Sequence, residues 1–66
     1  MTSVWIVESY NGEIERVFSS CKKAREYVQS KIAKCRISWV NKKSAFVYDV
    51  AAPDEIEFKI HCWYIW

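Results

Sequence analysis

The chain has 66 residues, of which 52% are hydrophobic and 17% aromatic, and it contains no leucine. A chain this short is expected to form one domain, residues 1–66, with no room for a catalytic domain joined to a cofactor domain. Its aromatic content argues against intrinsic disorder, and its apolar runs are much shorter than a membrane span requires. The formal net charge of +2 indicates no particular partner.

The three cysteines, Cys21, Cys35 and Cys62, are an odd number, which argues against a closed disulfide framework. The first residues lack the basic flank and apolar stretch of a secretory signal, so we predict three reduced thiols and a cytoplasmic location. His61 stands beside Cys62, but no C-x-x-C or H-x-x-x-H spacing accompanies the pair. We therefore expect neither a metal nor another cofactor.

The first predicted elements form a β-hairpin around Asn11-Gly12, because Asn-Gly favours a two-residue turn in which both residues have positive φ. This loop would place Trp5 opposite Phe18, Val7 opposite Arg16 and Ser9 opposite Ile14. The predicted core face of the hairpin then carries Trp5, Val7, Ile14 and Phe18. Its other face carries Ile6, Glu8, Tyr10, Glu13, Glu15 and Val17.

A helix is predicted next, from about Cys21 to Lys34, with Ser19-Ser20 as the N-cap pair. Its apolar residues recur every three or four positions, which is typical of a helix with one buried face. That predicted stripe consists of Cys21, Ala24, Val28, Ile32 and Cys35.

The second half of the chain alternates as strands do. Strands over 36–41 and 44–50 flank Lys42-Lys43, and this turn would set Trp39 opposite Phe46 and Ile37 opposite Tyr48. The last run, 55–66, is polar on one side at its start and apolar on both sides at its end. The pattern predicts an α+β fold of two layers in the order β-β-α-β-β-β: one antiparallel sheet with a single helix packed on one face.

Charge is strongly segregated along the chain. The segment 22–43 holds eight basic residues and one acid, a net +7, whereas the remainder is net −5. Such asymmetry steers association with an oppositely charged partner, although the two halves could simply attract each other within the fold. The candidate basic contact residues are Lys22, Lys23, Lys34, Lys42 and Lys43, and the candidate acidic ones are Glu8, Glu13 and Glu15.

Catalysis has little support in the sequence. There is one histidine, only one glycine, and no H-E-x-x-H motif. His61 and Cys62 are neighbours on a strand, so their side chains point to opposite faces and cannot act together. We predict a protein that is not an enzyme.

The sequence supports two alternative kinds of contact surface. Basic residues interleaved with aromatic ones over 22–43 are typical of a surface for single-stranded nucleic acid, although aromatics in a small domain mostly fill its core. At the C-terminal end, Trp63 and Ile65 fall on the sheet face away from the helix, where we expect an exposed apolar patch that includes Tyr10 or Ile6 across the sheet. Such a patch suits a protein partner or a homodimer.

The stretch Val4 to Val28 contains a hairpin, the run Val17-Phe18-Ser19-Ser20, and a helix with the pattern K-A-x-E-Y at Lys23 to Tyr27. It resembles the opening of small accessory proteins of phages and other mobile elements. The resemblance implies a short inhibitor, comparable to an anti-CRISPR protein, that blocks a host or defence protein in the host cytoplasm. It differs from inhibitors that mimic DNA through acidic charge, because its helix is basic. We therefore predict a non-catalytic binding protein that occupies a host protein's surface, with a nucleic-acid-binding module using the basic 22–43 face as the alternative.

Overall fold

The computed structural model describes residues 2–65, so Trp66, which was predicted to extend the last strand, lies outside the described residues. The elements are β1 (Thr2–Ser9), β2 (Ile14–Phe18), α1 (Cys21–Lys31), β3 (Cys35–Asn41), β4 (Ser44–Asp49) and β5 (Ala52–Ile65). Neighbouring strands are antiparallel and follow the order β2-β1-β5-β4-β3. This confirms the predicted α+β fold, one antiparallel sheet with a single helix in the order β-β-α-β-β-β.

The core lies between α1 and the half of the sheet formed by β1, β2 and β5. Ala24 and Val28 on the helix are fully buried, as the predicted stripe requires, and they belong to one cluster with Val7, Val47 and Ile60. Burial of such side chains from water is the main force that holds the helix on the sheet. Because an 11-residue helix cannot cover five strands, β3 is covered only in part: Ile37 packs against the core, whereas Trp39 is 42% exposed.

The helix begins where the sequence predicts and ends earlier. Ser20 is the N-cap, and its Oγ accepts a hydrogen bond from the Lys23 backbone N–H at 3.2 Å. The helix ends at Lys31, three residues before the predicted end, because Ile32 adopts extended backbone dihedrals while its side chain stays in the core. Cys35 therefore belongs to β3 and not to the helix, which corrects its predicted place on the helical stripe.

The first hairpin contains two irregularities that compensate each other. Its loop has three residues rather than two: the Gly12 N–H donates to the Ser9 carbonyl, and only Gly12 has positive φ, at 88°. This longer loop moves Ile14 opposite Glu8, and a bulge at Glu15 then restores the predicted pairs Val7–Arg16 and Trp5–Phe18. Ile14, predicted in the core, is consequently 61% exposed.

The second hairpin has the predicted Lys42-Lys43 turn but a different register. Asn41 pairs with Ser44, and Val40 is then accommodated as a bulge, so Trp39 pairs with Ala45 and Ile37 with Val47. The predicted pairs Trp39–Phe46 and Ile37–Tyr48 are wrong by one residue. A slip of one residue exchanges the two faces of a strand. As a result, Trp39 faces the helix side of the sheet, and Phe46 lies on the opposite side.

The last strand is longer than predicted. It begins at Ala52 rather than Glu55, because Val50 and Ala51 alone make the turn after β4. The Asp49 carboxylate accepts the Ala51 backbone N–H at 2.9 Å and stabilises this turn.

Candidate functional site

The sheet face that α1 does not cover, here called the open face, carries a contiguous apolar patch. The register pairs Ile6 with Val17, and Val4 with Trp63. Ile65 lies two residues beyond Trp63 on the same face, as predicted. Trp63 is 59% exposed, and Val17 and Ile65 are about half exposed. We call Val4, Ile6, Val17, Trp63 and Ile65 the apolar patch.

A polar pair adjoins the apolar patch. His61 Nε2 donates to Glu8 Oε1 at 2.6 Å, and both side chains are largely buried. The His61 ring also meets the Trp63 ring edge to face, with the centroids 6.2 Å apart. The Glu8 carboxylate therefore orients the imidazole, and the imidazole supports one side of the Trp63 indole.

Trp63 and Ile65 lie on a two-stranded ribbon that extends beyond the rest of the sheet. On one side β2 ends opposite Trp5, and on the other β4 begins opposite His61. Residues 2–4 and 63–65 are therefore paired only with each other among the described strands; we call them the ribbon. Tyr64, on the other face of the ribbon, is 40% exposed and packs against Lys43, whose Nζ lies 4.2 Å from the ring centroid.

The predicted apolar contact residues are only partly brought together. Tyr10 is 78% exposed, but it follows Ser9, which pairs with Phe58 at the far end of β1. Tyr10 lies four positions beyond Ile6 along the chain, about 13 Å, and eight positions beyond the residue opposite Ile65, about 25 Å. Tyr10 is therefore not part of the apolar patch.

Four of the five predicted basic contact residues lie at the same end of the molecule as the ribbon, here called the ribbon end. Lys22 and Lys23 are in the first turn of α1, and Lys42 and Lys43 form the turn between β3 and β4. Lys34 lies at the opposite end, where its carbonyl accepts the Val50 N–H. All five are exposed.

The predicted acidic contact residues do not form one surface. Glu8 is engaged with His61, Glu13 closes the β1–β2 loop, and Glu15 is the bulged residue of the edge strand β2. Glu13 lies, together with the first half of β5, at the end opposite the ribbon, and this half of β5 carries three further acids. These are Asp54, Glu55 and Glu57. The ribbon end is thus cationic and aromatic, whereas the opposite end carries both acids and cations, the latter including Lys31, Lys34 and Arg36.

A groove that sequence reasoning missed lies between α1 and β3. It is shallow and open to solvent, has a volume of about 660 Å³ and is lined by Trp5, Cys21, Arg25, Trp39, Asn41 and Lys42. Trp5 and Trp39 meet edge to face with their centroids 6.2 Å apart. They can approach because the strands between them carry small side chains here, Cys62 opposite Trp5 and Ala45 opposite Trp39. The sequence pattern did not reveal the bulge at Val40. Without this bulge, Trp39 would pair with Phe46 and lie on the face of the sheet away from the helix.

The groups considered for a metal site lie apart. Cys21 is on α1, Cys35 opens β3 and Cys62 is on β5, and all three are free and half-buried. Within residues 2–65, no three His, Cys, Asp or Glu side chains are arranged to hold a metal ion. Nor is the one helix described there long and apolar enough to cross a membrane.

Comparison of the chain with models of known protein families, with curated proteins and with solved structures finds no match.

Proposed function

We propose that the protein is a non-catalytic binding domain that docks a protein partner on its apolar patch. The supporting observation is the exposure of Trp63 beside Val4 and Ile65 on the open face. Exposed apolar patches of this kind mark interaction sites, and tryptophan is among the residues that contribute most to binding. The indole is also held in place by His61, so little conformational entropy is lost when a partner covers it.

The surroundings of the apolar patch indicate the chemistry of the partner. Lys59 is exposed next to Glu8 on the open face. Lys43 and Trp63 line one depression at the edge of the ribbon, with the Lys43 ammonium over Tyr64 on the other face. The only acid we place near the patch, Glu8, is already paired with His61. A partner with an apolar pocket and an acidic rim would complement this surface.

The resemblance of residues 4–28 to phage accessory proteins suggests which partner to test. On this proposal the domain occupies the surface of a host or defence protein in the cytoplasm and inhibits it by blocking its normal contacts. The mode of action needs no catalytic group, only a stable docked complex.

The proposal is tested by affinity capture from the native host with three forms of the protein: wild type, Trp63→Ala and Tyr10→Ala. We expect the wild type and Tyr10→Ala to retain the same host protein and Trp63→Ala to lose it, with at least a tenfold loss of affinity for the purified partner. Tyr10→Ala is the matched control, because it removes an exposed aromatic side chain about 25 Å from the position opposite Ile65.

Light scattering over a range of concentrations accompanies the capture experiment. A monomer at all concentrations is the expected result. A dimer that Trp63→Ala dissociates would assign the apolar patch to a second copy of this chain. Equal retention of the host protein by wild type and Trp63→Ala would also overturn the proposal.

A further inference from the structure

The groove between α1 and β3 supports an inference that goes beyond a protein partner on the open face. We propose that it binds a nucleotide of a single-stranded nucleic acid, with the base stacked on Trp39 and the phosphate held between Arg25 and Lys42. The groove lies on the helix side of the sheet, so it does not compete with the apolar patch.

The groove exists because the helix is too small to cover the whole sheet. α1 lies mainly over β1, β2 and β5, and it covers the helix face of β3 only in part. Cys35 and Ile37 pack against the core, whereas Trp39 is 42% exposed although it points to the same side.

The aromatic wall of the groove suits a nucleobase. Trp5 meets Trp39 edge to face, and this contact holds the Trp39 ring in one orientation while part of it stays accessible. Any base can stack on such a ring, so binding of this kind depends little on nucleotide sequence. The Asn41 side chain is occupied by the β3–β4 turn, where it accepts the Lys43 N–H at 2.7 Å.

The charge around the groove favours a phosphate. Arg25 and Lys42 line it from opposite sides, and none of the described residues that line it is acidic. Lys22 and Glu26 border a neighbouring depression together with Arg25, so one acid faces two cations there. An acidic peptide would use these cations but would leave the indole without a stacking partner, whereas a nucleotide uses both.

Fluorescence anisotropy with a labelled oligothymidylate of about ten nucleotides tests the proposal, because single-strand sites span about 4–16 nucleotides. We expect binding that weakens steeply with salt. Lys42→Glu should weaken it at least tenfold and reduce the salt slope by about one. Lys34→Glu is the matched control, because it changes the net charge equally at the opposite end and should leave binding within about twofold of wild type.

Two further measurements separate stacking from plain charge attraction. Trp39→Ala, checked for folding by circular dichroism, should lose about tenfold in affinity, and unlabelled poly-glutamate should compete far more weakly than unlabelled oligothymidylate. Trp63→Ala should bind the oligonucleotide as the wild type does, whatever its effect on a protein partner.

Absence of oligonucleotide binding at low salt would overturn the proposal. So would equal losses in Lys42→Glu and Lys34→Glu, or competition by poly-glutamate as strong as by oligothymidylate, because either result means that charge alone drives binding.

Discussion

His61 and Glu8 face each other diagonally across β5 and β1, with His61 Nε2 and Glu8 Oε1 2.6 Å apart. Their side chains retain only 19% and 22% of their solvent exposure. The pair removes Glu8 from the acidic residues that could contact a partner, and it fixes the ring against which Trp63 rests. One contact therefore stabilises the sheet and shapes the apolar patch.

A double-mutant cycle should measure the strength of this contact. We expect Glu8→Gln, His61→Gln and the double variant to give a coupling free energy of about 1 kcal/mol, the usual contribution of a hydrogen bond in a folded protein. Urea unfolding of the four proteins provides the values. Additive effects within about 0.3 kcal/mol would show that the two side chains do not stabilise each other.

Removing Val40 should leave the fold intact. Val40 is the bulged residue and is 61% exposed, so its deletion still allows Asn41 to pair with Ser44 and Trp39 with Ala45. We expect the free energy of unfolding to stay within about 1 kcal/mol of wild type, since a surface change away from the core costs little. Urea unfolding measures the stability, and nuclear Overhauser contacts between Trp39 and Ala45 report the register.

Deletion of Ser38 is the contrasting control for Val40. Ser38 is paired with Phe46 within the regular part of the strand, so its loss moves Ile37 to the opposite face. We expect it to destabilise the protein far more than loss of Val40. Equal effects of the two deletions would contradict the assignment of the bulge.

Substitution Lys23→Glu should stabilise the helix. Lys23 occupies the third helical position after the N-cap Ser20, and the first turn contains no acid. Glutamate there completes a capping box and interacts favourably with the helix dipole, for a gain of about 0.5–1 kcal/mol. Lys22→Glu makes the same charge change without the capping box, so thermal unfolding should show a smaller gain for it. A decrease in stability with Lys23→Glu would argue against this N-terminus.

An Ile→Val substitution should lower the free energy of unfolding more in the core than in the apolar patch. Ile60 is fully buried, whereas Ile65 is 50% exposed. We expect Ile60→Val to reduce the free energy of unfolding by about 1 kcal/mol, because it leaves a small cavity. Ile65→Val should change it by less than about 0.5 kcal/mol. A larger cost at Ile65 in denaturant titrations would indicate that the patch is covered in the free protein.

The two hairpins show how far a sequence pattern leads. In the first, a three-residue loop and a bulge cancel, so the predicted pairs Trp5–Phe18 and Val7–Arg16 are confirmed although the loop type is wrong. In the second, the bulge at Val40 has no compensating partner, and every pair beyond it is shifted by one. Alternation of apolar residues does not reveal a bulge, because a bulge depends on which face finds a packing partner.

The candidate sites, like the hairpins, could be predicted from the sequence only in part. The exposed Trp63 and Ile65 on the open face follow from strict alternation at the end of β5, which the sequence shows directly. Tyr10 lies at the other end of β1, and sharing a face says nothing about distance along a strand. The groove with Trp5 and Trp39 joins residues from β1 and β3, and only the packed sheet brings these together.

Composition and periodicity alone determined the fold class, the burial of Ala24 and Val28 on the helix and the segregation of charge along the chain. A leucine-free chain rich in β-branched and aromatic residues favours strands, and one short helix cannot cover five of them. The tertiary structure decided the strand registers, the pairing of Glu8 with His61 and the partial exposure of Trp39 on β3. These depend on contacts between distant parts of the chain, where a shift of a single residue exchanges the buried and exposed faces.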